Sequence, residues 1–87
     1  MFSIRATETG DTIEQFETKQ EAITKMEWME LDDMREGGFT VRFYEVYDED
    51  AHEVVQTGVY DVDMTGEVDD LYHDWSERAK AIGIKVI

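Results

Sequence analysis

Hydrophobic positions along this 87-residue chain switch between a period of two and a period near 3.6, and each switch marks an element. Phe2, Ile4 and Ala6 alternate with Ser3, Arg5 and Thr7, the pattern of a half-buried strand. Glu8-Thr9-Gly10-Asp11 supplies turn residues, and Thr12 to Glu17 is expected to return as the second arm of a hairpin. Ile13 and Phe16 differ in parity, so one of them leaves the inner face or a bulge intervenes. Thr18-Lys19-Gln20-Glu21 matches the capping box, in which Thr18 accepts from the backbone of residue 21 and Glu21 reaches back. A helix should follow, with Ala22, Met26 and Met29 on one face, Ile23 on its flank, and Gly37-Gly38 as its stop. Asp32, Asp33 and Glu36 are poorly placed near a helix C-terminus and predict a frayed last turn. Trp28 and Leu31 point roughly 100° or more from the first face.

A second hairpin is expected next. Phe39, Val41 and Phe43 alternate with Thr40, Arg42 and Tyr44, residues 48–52 form a polar loop, and Val54 to Val62 runs back. A loop centred near Asp50 makes facing residue numbers sum to about 100. That register puts Phe39, Val41, Phe43, Val55, Thr57 and Val59 on one face. It puts Thr40, Arg42, Tyr44, Val46, Val54, Gly58 and Tyr60 on the other. From Asp61 to Gly83 the period returns to that of a helix: Val68, Leu71, Tyr72, Trp75, Ala79 and Ile82 make one stripe. Acids lead it, Arg78 and Lys80 lie late, and Gly83 stops it. Ile84 to Ile87 has the length and composition of a short closing strand.

The sum is one α+β domain spanning residues 1–87, in the order β-β-α-β-β-α. A mainly antiparallel sheet with two helices packed on one face is the simplest arrangement. A hydrophobic share of 41% supports a modest core despite a net charge of -14. There are no cysteines, which excludes a disulfide staple and a thiolate metal site. No apolar run approaches the roughly 20 residues that span a bilayer. No signal-peptide pattern opens the chain, so a cytoplasmic, soluble protein is expected.

The charge is uneven, which changes the functional picture more than its size does. Residues 43–77 hold twelve acids and no Lys or Arg, whereas the last ten residues hold three cations and no acid. Such a block repels phosphate and anionic lipid, so direct binding to nucleic acid or a membrane is not expected. A basic protein partner is. The carboxylates expected to meet it are Glu45, Asp48, Glu49, Asp50, Glu53, Asp61, Asp63, Asp69, Asp70 and Asp74. A special case is a nucleic-acid mimic, whose carboxylates stand in for phosphates in the groove of a DNA- or RNA-binding protein. The alternative to both is a solubilising surface. Trp28 with Leu31, and Tyr44, Val46, Val54 and Tyr60 on the second sheet face, are candidates for an apolar interface with a partner or a second copy. For each the alternative is ordinary burial.

Two kinds of site chemistry are suggested by the residues. Asp61, Asp63, Thr65, Gly66, Val68 and Asp69 fall at positions one, three, five, six, eight and nine of a calcium loop. Position twelve is Tyr72, where a closing Glu belongs, and a strand rather than a helix leads in. The competing reading is that Asp63 or Thr65 caps the second helix. His73 has Asp69 and Asp70 within one helical turn, and His52 lies among loop acids. No nucleophile, orienting group, glycine-rich phosphate loop or metal-spaced histidine pair accompanies them. A non-enzymatic domain without a cofactor is therefore expected.

Overall fold

The computed structural model describes residues 1–84. Its elements are β1 (Phe2–Ala6), β2 (Thr12–Phe16), α1 (Lys19–Glu36), β3 (Tyr44–Asp48), β4 (Glu53–Thr57) and α2 (Val68–Ala81). A single 3-10 turn, Thr65–Glu67, leads into α2. The strands form one antiparallel sheet in the order β2-β1-β3-β4, so the chain is the expected α+β fold in the order β-β-α-β-β-α. The closing strand expected from Ile84 falls on residues 85–87, outside the described residues.

The first hairpin solves its parity conflict with an irregularity between Ile4 and Arg5. Phe16 then lies opposite Phe2 and packs on the core, while Ile13 is left 47% exposed. β1 pairs next with β3, which sets Ile4 against Val46 and Ala6 against Tyr44. That pairing decides the faces of the second hairpin. Tyr44 and Val46 follow Ile4 into the core and are buried, so the outward face expected for them does not exist. Facing numbers in β3 and β4 sum to 102 and, past a bulge between Val46 and Tyr47, to 101. The two-residue offset beside Val46 leaves the faces as expected, whereas the one-residue offset past the bulge moves Val54 to the face opposite Val46.

Residues 39–43 are not a strand. Arg42 adopts a left-handed φ of 57°, and Phe43 N–H donates to the Thr40 carbonyl at 3.3 Å, so the chain turns before it pairs. A bulky residue in that conformation costs roughly 1 kcal/mol or more.

α1 is the centre of the molecule. Ala22 and Met26 pack on Ile4, Tyr44 and Val46, with Ile23 and Met29 beside them. Leu31 and Met34 pack instead on Val68, Trp75 and Ala79 of α2. The interior is thus two apolar clusters on two faces of α1: one face covers the sheet, and α2 docks chiefly on the other. The Thr18 cap forms, with Glu21 N–H donating to Thr18 Oγ1 at 3.2 Å, while Glu21 Oε1 reaches back to the Thr18 hydroxyl at 2.8 Å rather than to its backbone N–H. At the other end Gly37 takes φ 81°, its N–H donating to Met34 O at 3.1 Å while Gly38 N–H donates to Asp33 O at 2.8 Å. That is a Schellman ending, and it holds the turn expected to fray.

Candidate acidic interaction surface

The roll of α2 about its own axis decides where its acids point. Val68, Trp75 and Ala79 are buried, and two polar anchors on that side fix the angle. Trp75 Nε1 donates to the Thr24 carbonyl of α1 at 2.7 Å. One turn on, the Arg78 guanidinium grips Glu27 of α1 through two bonds of 3.0 and 2.8 Å. The opposite side carries Asp69, Asp70, His73, Asp74 and Glu77, all exposed. Ile82, expected to finish the apolar stripe, is 39% exposed, so the stripe ends at Ala79.

The four acids from Asp69 to Glu77 span about 12 Å of helix, or about 4 Å per charge along the axis. One strand of duplex DNA carries a phosphate every 3.4 Å of its axis. None of the four has a hydrogen bond or ion pair within the described residues, and the same holds for Glu53 and Glu67. Glu67 lies within residues 45–74, the stretch expected to bind a partner, and sits in the 3-10 turn ahead of α2. Glu77 lies beyond that stretch, and its place on the exposed side of the helix is what adds it.

Six of the expected acids are instead engaged within the chain. Glu45 accepts from Arg5 Nε at 3.0 Å, and that guanidinium also lies 3.9 Å from the centre of the Tyr47 ring. Asp48 Oδ1 accepts from the backbone of Asp50 and Ala51 and so builds the hairpin turn. Glu49 accepts from the buried Ser3 hydroxyl at 2.6 Å. Asp50 pairs with the Met1 ammonium at 2.9 Å, which lowers the acid's pKa and raises that of the amine. Asp61 lies 3.8 Å from Arg42, with both side chains largely exposed. Asp63 accepts from Thr65 N–H at 2.9 Å and from the Thr65 hydroxyl. The hairpin tip and the Arg42–Asp61 pair sit at opposite ends of β3, at least ~14 Å apart. The acidic block of the sequence is therefore not one patch.

The loop with calcium-like spacing is accounted for residue by residue. Asp63 takes the Thr65 N–H at the start of the 3-10 turn, but the N-cap positions of that turn and of α2 are Met64 and Glu67, neither with a side-chain bond, so the expected cap of the second helix by Asp63 or Thr65 does not form. Among the described residues, no three His, Asp or Glu side chains gather as a group that could hold a metal ion. His52 takes a left-handed φ of 55° in the hairpin loop. His73 is exposed on α2 and makes no hydrogen bond to Asp69 or Asp70 among the described residues.

The apolar candidates are mostly corrected. Leu31 is fully buried against α2 because α1 is sandwiched and needs two apolar faces. Trp28 is half-buried at the edge of that contact, with Lys25 Nζ 4.4 Å from its ring centre. Tyr60 packs against the same cluster and donates its hydroxyl to Glu27 at 2.7 Å. Val54 alone of the expected set is exposed, at 45%, and Ile13, Val41 and Val62 are the other bare aliphatics of the middle chain. A hollow of about 270 Å³ between β2, the start of α1 and the end of α2 is lined by Glu14, Phe16, Glu21, Lys25, Gly83 and Ile84.

Two functional-looking acids escaped the sequence pattern. Glu27 and Glu30 of α1 are only 5% and 2% exposed. Glu30 accepts from Val59 N–H at 2.7 Å and Tyr60 N–H at 3.2 Å. Burial pushes its carboxyl up, those two backbone bonds pull it back, and Glu27 and Asp33 push it further. Tyr44, donating to Asp33 at 2.7 Å, and Tyr60 are pushed well above the usual phenol range, first by burial and then by their carboxylate acceptors. The signal for these acids was the pair of apolar faces on α1, which leaves Glu27 and Glu30 on the seams between them.

No family model, curated protein or solved structure matches this chain. No described helix is long and apolar enough to cross a membrane.

Proposed function

We propose that this chain is a non-enzymatic interaction module that holds a basic protein partner through carboxylates within residues 45–77, chiefly those of the α2 face. One observation carries the reading: Asp69, Asp70, Asp74 and Glu77 are all unpaired within the described residues, on the side of α2 opposite Trp75 and Ala79. A helix held by Trp75 and Arg78 presents these charges in a fixed row, so a partner does not have to order them on binding. Glu53 and Glu67 add to the same field, and the engaged acids of the hairpin add long-range attraction without offering a free oxygen pair.

The row favours one special case, the nucleic-acid mimic, because its four charges average about 4 Å apart along the axis, in steps of about 1.5, 6 and 4.5 Å, a linear density like that of a phosphate strand. The test uses affinity capture by the intact chain at about 50 and about 300 mM salt, beside a D69N/D70N/D74N/E77Q variant. Basic proteins should be retained by the wild type at low salt, lost at high salt, and lost by the variant at both. Equal retention by variant and wild type refutes the face. Displacement of duplex DNA or RNA from a captured protein separates the mimic from the general module.

A further inference from the structure

The connection between β4 and α2 has no regular structure from Gly58 to Met64, yet its first residues are among the best held in the chain. Gly58 is buried at φ 66°, with its N–H donating to Tyr44 O at 3.0 Å. A Cβ there would meet the Arg42 backbone at 3.6 Å and Glu30 Oε1 at 3.7 Å. The next two N–H groups enter the Glu30 carboxylate, one on each oxygen. One turn earlier on α1, Glu27 takes the Tyr60 hydroxyl and the Arg78 fork together. Two buried acids on one side of α1 thus hold both the start of the connection and the helix that ends it.

The two acids differ in one respect. Glu27 has a cation. Glu30 has none: no Lys or Arg among the described residues pairs with it. Facing it from α1 are the carboxylates of Glu27 and Asp33; from β3, the Tyr44 phenol; and from the connection, the Tyr60 phenol. Arg78 of α2 is spent on Glu27, and the Arg42 guanidinium lies toward Asp61. We propose that Glu30 and the Val59–Tyr60 N–H pair form a protonation-sensitive clasp, which sets how firmly the segment leading to the α2 acidic face is held. The clasp stands on its own geometry; its regulatory meaning rests on the binding face proposed above.

The sign follows from linkage. A released Glu30 is solvated and titrates as an ordinary carboxyl, near 4.5. Held in the clasp among acids, it keeps its proton to higher pH. Between the two midpoints the held form binds more protons, so acidification closes the clasp and alkalinisation loosens it, by up to about tenfold in the closed-to-open ratio per pH unit. This is opposite to the usual cation-paired carboxylate, which loses its grip as pH falls.

The experiment is an NMR titration of the whole chain from pH 4 to pH 8, following the Val59 and Tyr60 amides, the Glu30 side-chain carboxyl, and hydrogen-exchange protection. The three sets of shifts should share one midpoint above 4.5, with protection of the two amides falling as pH rises through it. In Glu30→Gln the shared step should vanish while the Glu21 capping amide is unchanged. Amides that stay flat, that share an unshifted midpoint near 4.5, or that titrate alike in Glu30→Gln overturn the proposal. Should that variant not fold, the wild-type carboxyl and amide midpoints decide alone: agreement above 4.5 supports the clasp and disagreement overturns it. No partner enters the measurement, so a failed binding face and a failed clasp are told apart.

Discussion

Removing one donor at a time from Glu27 tests whether this carboxylate ties α2 and the β4–α2 connection to α1. The Tyr60 hydroxyl lies 2.7 Å from Oε2, and the Arg78 guanidinium reaches both oxygens at 3.0 and 2.8 Å. Tyr60→Phe deletes only the hydroxyl. A hydrogen bond to a charged group contributes about 1.5–3 kcal/mol, and the half-buried position of Tyr60 places the expected loss near the bottom of that range, about 1–2 kcal/mol. Arg78→Met keeps the aliphatic stem and removes the fork. Breaking a fully buried pair costs about 3–5 kcal/mol and an exposed one under about 1 kcal/mol. Here Glu27 is 7% and Arg78 58% exposed at the side chain, so screening reduces the expectation to about 1–2 kcal/mol. Each kcal/mol lowers the melting midpoint of a domain this size by about 4–8 °C. The double variant should lose more than the sum by at least about 0.5 kcal/mol, because it alone leaves the buried carboxylate without a donor. Urea unfolding of the four chains, read by circular dichroism and by tryptophan fluorescence, measures all three quantities. Single losses below about 0.3 kcal/mol, or a strictly additive double variant, would refute the shared anchor.

Other outcomes follow from named contacts. Thr18→Ala removes the capping acceptor of α1 and should cost about 1 kcal/mol, seen as a lower urea midpoint with an unchanged m-value. Tyr44 and Tyr60 keep their protons in the fold at pH values where free phenols ionise, so stability should fall as pH rises above about 10; ultraviolet titration should show two phenols that ionise only on unfolding. Sodium chloride should raise the melting midpoint, since a net charge of -14 opposes the compact state and salt screens it; a midpoint that stays level or falls would count against that account.

Local signals in the sequence were reliable wherever the physics was local. The Thr18 cap, the Gly37 stop and the Val68–Trp75–Ala79 stripe each depend on residues within a turn or two, and each formed. The second hairpin failed at the point where a distant strand decides. Nothing within residues 39–62 says that β1 lies against β3, and it is Ile4 opposite Val46 that draws Tyr44 and Val46 inward. With that pairing unknown, either face could be the inner one, because a loop register says which residues share a face and not which face meets the core. Arg42 at positive φ was illegible for a related reason: it lies in the turn that precedes β3, beside the backbone of Gly58 sixteen residues on, and no local residue pattern announces either.

The acids divide along the same line, and the division bears on function. In composition, Glu30, Asp48 and Asp74 are equivalent charges. Folding turns the first into an acceptor for two peptide N–H groups and the second into the frame of a turn, and leaves the third bare in solvent. Charge counted along the chain therefore overstates what a partner can reach in the hairpin and understates it on α2, where Glu67 and Glu77 join the row. Neutralising Asp48 or Glu49 should consequently cost stability more than binding, because each holds a turn or the Ser3 hydroxyl. Neutralising Asp70 or Asp74 should do the reverse, since neither makes a hydrogen bond or ion pair of its own among the described residues and Asp74 adds only a weak attraction to Arg78. If instead both pairs weakened capture of a basic protein equally at unchanged stability, diffuse net charge rather than the fixed row would be the binding determinant.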